Sequence, residues 1–199
     1  MARDFGRKHL RQRIAHLAAR LMAEDGIEDY MLAKRKAARQ AGMSDLHQLP
    51  DNDEIDGALE LYRALYCQDH EHELHMLRGL ALNMMDKLIQ FNPHLVGSVL
   101  KGNAGKFAAI HLYLFTDDAK GVEIHLINQG IEYKGGSNRL YAGKFPISVP
   151  ILTFLQDDID IHLTILSLHE LRQPLKATLE GRSIERARRE TVAALIAEG

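Results

Sequence analysis

The chain has 199 residues, with 25 Lys and Arg against 27 Asp and Glu and a formal net charge of −2. That length can bury a hydrophobic core without staples, and the near-neutral balance gives no bulk attraction to nucleic acid or a membrane surface. The single cysteine, Cys67, excludes an internal disulfide framework, and no apolar run approaches the ~20 residues that span a bilayer. The opening MARDFGRKHLRQR is charged and no apolar stretch of secretory type follows it, so the expected compartment is the cytoplasm. Charge is unevenly placed. Residues from Arg3 to Arg39 are basic, and the stretch from Asp51 to Glu73 is acidic. Either these segments pack side by side and complement each other, or the basic part touches RNA or another polyanion. The basic residues alternate with apolar ones and carry few aromatics for base stacking, which favours the first reading.

In chain order, Leu10, Ile14, Leu17 and Leu21 recur at helical spacing and predict a helix over residues 6–24, stopped by Gly26. A second helix over 28–41 ends at Gly42, and a polar loop runs from Ser44 to Pro50. Asp51 is placed to cap the next helix, with Glu54 at the capping-box position. The apolar stripe Ile55, Ala58, Leu59, Tyr62, Leu65, Tyr66 weakens over 68–71. It resumes from Leu74 to Leu88 and stops before Pro93.

After Pro93 the period changes. His94 to Ser98 reads as a short buried strand entering a glycine turn, and 102–105 as a loop. Ala108 to Phe115 alternates as a strand, with Ile110, Leu112 and Leu114 on one face and Ala109, His111, Tyr113 and Phe115 on the other. Asp117 or Asp118 is positioned to cap a short helix through Asn128, closed by Gly130. Gly135-Gly136-Ser137-Asn138 gives a hairpin signal between two short strands. Ile147–Leu155 and Ile159–Leu166 read as two more strands, with Pro150 pointing to an edge position or a bulge. A final helix is expected from Ser183 to Glu198. Helices first and a mixed sheet after them make an α+β fold. By motif the chain divides into a helical extension (1–50), a core (51–172) and a C-terminal loop and helix (173–199).

The stretch Val96-Gly97-Ser98-Val99-Leu100-Lys101-Gly102, followed by Ala108-Ala109-Ile110-His111-Leu112, resembles the signature of the DNA polymerase β-like nucleotidyltransferase superfamily. That signature is a helix, a strand ending in Gly-Ser, a glycine-containing loop, then Ser-Asp-x-Asp-Leu on the next strand. Gly97 and Ser98 match the Gly-Ser pair, Gly102 the loop glycine and Leu112 the leucine. Ala108 stands at the serine, and Ala109 and His111 at the two aspartates. The resemblance covers about residues 75–166 and implies a nucleotidyltransferase-like mixed sheet with flanking helices. With Ala33–Arg39, Leu95–Leu100 and Leu179–Arg182, the chain also resembles short proteobacterial nucleotidyltransferase-like proteins, some labelled UDP-N-acetylmuramate–alanine ligase. The ligase label lacks its phosphate loop, because Gly105-Lys106 is followed by Phe107.

Nucleotidyl transfer uses Mg²⁺, which takes hard oxygen ligands in octahedral geometry. A methyl and an imidazole at positions 109 and 111 cannot supply them, and Asp160 is the one acidic candidate on the third strand. The resemblance therefore implies a degenerate metal site. Gly97, Ser98, Lys101, Gly102, Asn103 and Lys106 are expected to grip the phosphates of a nucleoside triphosphate. No cofactor is expected; Mg²⁺ or Mn²⁺ enters only if the enzyme is active, with Asp160 as the catalytic carboxylate that helps hold it. His111 and His162 form an alternative pair for Zn²⁺ or another borderline metal, or simply fill a redundant pocket. Cys67, His70, His72 and His75 are all metal-ligand types, but their spacing is not that of a zinc finger, and a solvated helix surface explains them. The leading expectation is a nucleotide- or partner-binding protein without efficient catalysis. The alternatives are an active metal-dependent nucleotidyltransferase and a scaffold that meets a protein partner through its N-terminal helices. Neither nucleic acid nor membrane is favoured as a partner.

Overall fold

The structure, a computed structural model, describes residues 2–24, 27, 29–42, 49–66, 70–105, 108–179 and 181–198. Cys67, Gly26 and Lys106 lie outside these residues. The elements are α1 (Ala2–Glu24), α2 (Tyr30–Gln40), α3 (Asn52–Tyr66), α4 (His70–Lys87), β1 (Pro93–Val96), α5 (Ser98–Lys101), β2 (Ile110–Phe115), α6 (Ala119–Asn128), β3 (Lys134–Ala142), β4 (Phe145–Gln156), β5 (Ile159–Leu166), β6 (Leu175–Lys176), β7 (Arg186–Ala187) and α7 (Arg189–Ala197). This is an α+β fold, with helices leading into a mixed sheet. No helix among the described residues is long and apolar enough to cross a membrane.

Two compact units share the chain: residues 1–74 with 103–107, and residues 75–102 with 108–199. The motif division at residue 50 differs from this division by packing, which places α3 and the first turn of α4 with α1 and α2.

The first unit is helical. Ile14, Ala18, Ala19, Ala33, Ala37, Ala38, Ile55 and Leu59 are fully buried in one core. The alanines let the helix backbones approach closely, and the larger Ile and Leu side chains supply most of the buried apolar area. Asp29 caps α2, its carboxylate accepting from the Met31 and Leu32 amides. At α3 the capping box forms as the spacing predicts. Asp51 Oδ1 accepts from the Glu54 amide at 2.9 Å, and Glu54 Oε2 accepts from the Asp51 amide at 2.8 Å. Arg11 of α1 reaches the same box, 2.6 Å from Glu54 Oε2 and 3.7 Å from Asp51 Oδ2. Its hydrogen bond holds the Glu54 carboxyl below the ordinary range. The basic and acidic segments thus complement each other here. Lys34 is also buried; it donates to Asn52 Oδ1 at 2.7 Å, and burial lowers its pKa.

The second unit is a seven-stranded sheet in the order β6-β3-β4-β5-β2-β1-β7. β2 and β5 are parallel, and every other pairing is antiparallel. Alternation gives each strand two faces. Leu95, Ile110, Leu112, Leu114, Ile161, Leu163 and Ile165 are buried on one of them. On the other, Tyr113, Phe115, Leu166, Val149, Leu140, Ala142 and Leu175 form a second cluster. α6 is capped as expected, Asp118 Oδ1 accepting from the Gly121 amide at 2.8 Å.

Three expectations are corrected or refined. Gly135–Asn138 is not a turn but the middle of the continuous strand β3, and the hairpin turns at Gly143-Lys144, where Gly143 takes φ +63. The expected helix from Ser183 starts only at Arg189. The Ile184 amide bonds to the Leu175 carbonyl at 2.7 Å and Arg186–Ala187 pairs with β1, so the preceding backbone is committed to the sheet. Pro150 does stand at a local edge: β4 pairs with β5 only from Ile151 onward, so Pro150 has a strand neighbour on one side alone.

Candidate functional site

β1 delivers the chain to Gly97, whose φ of 79 and ψ of −155 are accessible almost only to glycine. A β-carbon there would stand 3.5 Å from His111 Cδ2, so the glycine backbone lies against the His111 ring. The single turn α5 follows and closes at Gly102, also left-handed with φ 79. Val99 is fully buried and anchors the turn, whereas Lys101 is exposed. Ser98 Oγ is buried and has no hydrogen-bond partner among the described residues. A buried hydroxyl in that state costs roughly 1–3 kcal/mol.

Register places the next residues. Val96 pairs with His111, His111 with His162, and His162 with Thr153. Residues in such a row share a sheet face, so His111 and His162 point the same way, as their alternation predicts. Their rings meet edge to face with centroids 4.7 Å apart and planes at 83°, and both are half-buried. Asp160 lies two residues before His162 on that face and is exposed. Ala109, half-buried, immediately precedes β2. Tyr113 shares the face but belongs to the core; burial lifts its phenol to about 12, with Arg186 pulling the other way.

The expected phosphate loop divides. Gly97, Ser98, Lys101 and Gly102 belong to the sheet unit, whereas Asn103 belongs to the helical one. There its amide nitrogen donates to the Tyr30 hydroxyl at 3.0 Å and to Asp56 Oδ1 at 3.2 Å. The Tyr30 hydroxyl in turn donates to the same Asp56 oxygen. Burial, then Asp56, raises the Tyr30 pKa. The amide nitrogen of Asn103 is therefore occupied in a structural network, while its Oδ1 is buried with no hydrogen-bond partner among the described residues. Lys106 lies outside the described residues.

Metal chemistry can be tested against the donor set. No group of three or more His, Cys, Asp or Glu converges among the described residues. His72 and His75 are exposed on α4. Around the Gly97 turn the donors are two imidazoles and one exposed carboxylate, with a methyl at position 109. That set does not fit the all-oxygen octahedron of Mg²⁺.

Arg78 was not foreseen as part of this region. From α4 its guanidinium donates to the Val99 carbonyl at 3.3 Å, Leu100 at 3.4 Å and Leu195 at 3.5 Å, and burial lowers its pKa. It covers the open carbonyls of α5. The one sequence signal was a cation inside the apolar stripe of α4. In the helical unit, His9, Gln12, Arg13, His16 and Arg20 of α1 line an open groove with Tyr62. Glu24 offsets part of that charge, 3.8 Å from Arg20 and accepting from the Tyr62 hydroxyl.

No family model matches the chain, and no curated protein or solved structure matches it.

Proposed function

We propose that this chain is a nucleotidyltransferase-fold protein that binds a phosphate-bearing ligand, a nucleotide first of all, without efficient metal-dependent transfer. The observation that carries the reading is the Gly97 backbone lying against the His111 ring, which in turn meets His162 edge to face. Glycine without a side chain allows close approach of the backbone, and the Ser98 hydroxyl lacks a partner that a phosphate oxygen would provide. Lys101 adds an exposed cation. The order of elements also supports the reading: a helix, β1 ending at Gly97, the short α5 and then β2 beside β1. In the superfamily that this arrangement resembles, carboxylates at the positions of Ala109 and His111 hold the metal; their replacement removes the ligands on which transfer depends.

Thermal unfolding with ATP, with and without Mg²⁺ or Mn²⁺, tests the proposal. A stabilisation independent of metal, reduced in Ser98→Ala and Lys101→Glu, is the expected result. Pyrophosphate release by the parent with Mg²⁺, abolished by Asp160→Asn, promotes the active-enzyme reading instead. No shift with any nucleotide favours the scaffold reading, for which the exposed Met31, Leu32, Leu61 and Leu65 on α2 and α3 speak.

A further inference from the structure

The outer side of β3 is open. β6 pairs with it only at Tyr141 and Ala142, which leaves Lys134 to Leu140 with β4 on one side and no other strand among the described residues. No backbone hydrogen bond from a loop among the described residues reaches this stretch either, and residues 134–139 are all exposed. Such an edge presents a row of amides and carbonyls to which a further strand can bond, though here the Arg139 amide donates to Asn138 Oδ1 at 2.8 Å and would have to exchange that partner. Proteins that must stay apart usually block such an edge with a proline, a bulge or charges along its length. Here the pairing with β4 runs without a bulge. The charges stand only towards the ends, at Lys134 and Arg139, and the middle is Gly135-Gly136-Ser137-Asn138.

We infer that β3 pairs antiparallel with β3 of a second copy of this chain, about a two-fold axis at Ser137. The sequence of the edge is complementary to itself in that register. Ser137 meets Ser137, Gly136 meets Asn138, Gly135 meets Arg139 and Lys134 meets Leu140. No like charges fall opposite each other, which in a sheet is destabilising. The long side chain of each Arg139 falls beside a glycine rather than another bulky group. On its own chain Gly135 pairs with Leu152, so the aliphatic stem of the incoming Arg139 fills a place between the two where no side chain stands. The two hydroxyls at the axis form a cross-strand pair of a kind that favours pairing. A strand of another protein fits the same open backbone, but nothing about it would require this residue-by-residue symmetry. The result is an isologous dimer with one sheet running through both subunits.

The test uses the full chain in sedimentation equilibrium. The wild type is expected to approach twice its 22.4 kDa mass as concentration rises. Ser137→Glu places two carboxylates opposite each other at the axis and is expected to raise the dimer dissociation constant by about tenfold or more, with an unchanged circular dichroism spectrum. In a Cys67→Ser background, Ser137→Cys should form a disulfide-linked dimer under mild oxidation, whereas Cys67→Ser alone has no thiol and serves as the control. A wild type that stays monomeric leaves the edge to another protein's strand and overturns the inference. So does a dimer that Ser137→Glu leaves intact.

Discussion

Two glycines of the sheet unit should respond to alanine with opposite signs. Gly97 occupies a backbone region that side chains avoid, so Gly97→Ala is expected to cost roughly 1–3 kcal/mol in conformational strain. Steric overlap is not the cause, since a β-carbon would meet His111 Cδ2 at an ordinary 3.5 Å. Gly79 lies inside α4, has no positive φ, and a β-carbon there meets nothing within 4 Å. Gly79→Ala is expected to stabilise by roughly 0.4–1 kcal/mol, through the reduced freedom of the unfolded chain. Urea denaturation midpoints of the two variants check the pair. His94 gives a third residue-level expectation. It is 3% exposed, its Nδ1 lies 3.1 Å from the Asn92 carbonyl, and it meets Phe115 edge to face. Burial first, then Arg186 and Arg188, lower its pKa, against the opposing hydrogen bond to Asn92. Below the ~6.5 of a free imidazole, the unfolded chain therefore takes up a proton before folded His94 does. The contribution of this group to stability is complete above that pH and is lost as pH falls through the window below it. Melting temperatures between neutral and mildly acidic pH should fall less steeply in His94→Gln than in the parent. Equal slopes in the two proteins would discount His94 as the source.

The capping box of α3 is the element whose sequence signal and structure agree most closely. Asp51→Ala should cost about 1 kcal/mol, and Glu54→Ala should lose both the reciprocal bond and the contact with Arg11. If the two effects are coupled, the double variant will cost less than the sum of the singles, which a double-mutant cycle in urea would reveal. This box was legible because its partners are three residues apart. So was the face shared by His111 and His162, since strand alternation needs only local sequence. Elements whose state depends on distant neighbours were harder to read. Gly135-Gly136-Ser137-Asn138 has the composition of a turn, and only its pairing with Val149–Leu152 makes it a strand. Residues 183–187 have nothing against a helix in their own sequence, yet β1, some ninety positions away, draws Arg186 and Ala187 into the sheet. At the candidate site, the Gly97–Gly102 turn followed from its glycines. The engagement of Asn103 did not, because its partners Asp56 and Tyr30 are 47 and 73 residues away.

At the scale of the molecule, packing groups the chain into two compact units, each with its own core. The boundary was hard to see because α3 and α4 carry similar apolar stripes, while the first completes the helical core and the second, from His75, goes with the sheet. Neither stripe records which surface it meets. The two cores make a distinct prediction. Leu59 is fully buried among α1–α3, and Leu59→Ala removes its buried methyl groups and leaves a cavity worth roughly 2–5 kcal/mol. The alanines lining that core are too small to move in and fill the gap. The loss should therefore be near the upper part of the range, and it should be felt first by the amides of α1, α2 and α3. Native-state hydrogen exchange reads this directly, since protection follows the free energy of the smallest opening that exposes each amide. Protection in the helical unit is expected to fall, while that of the central amides in β2 and β5 stays at the parent value. The matched variant Leu112→Ala, in the sheet core, should reverse the pattern. A uniform loss of protection in both variants would mean that the chain opens only as a whole.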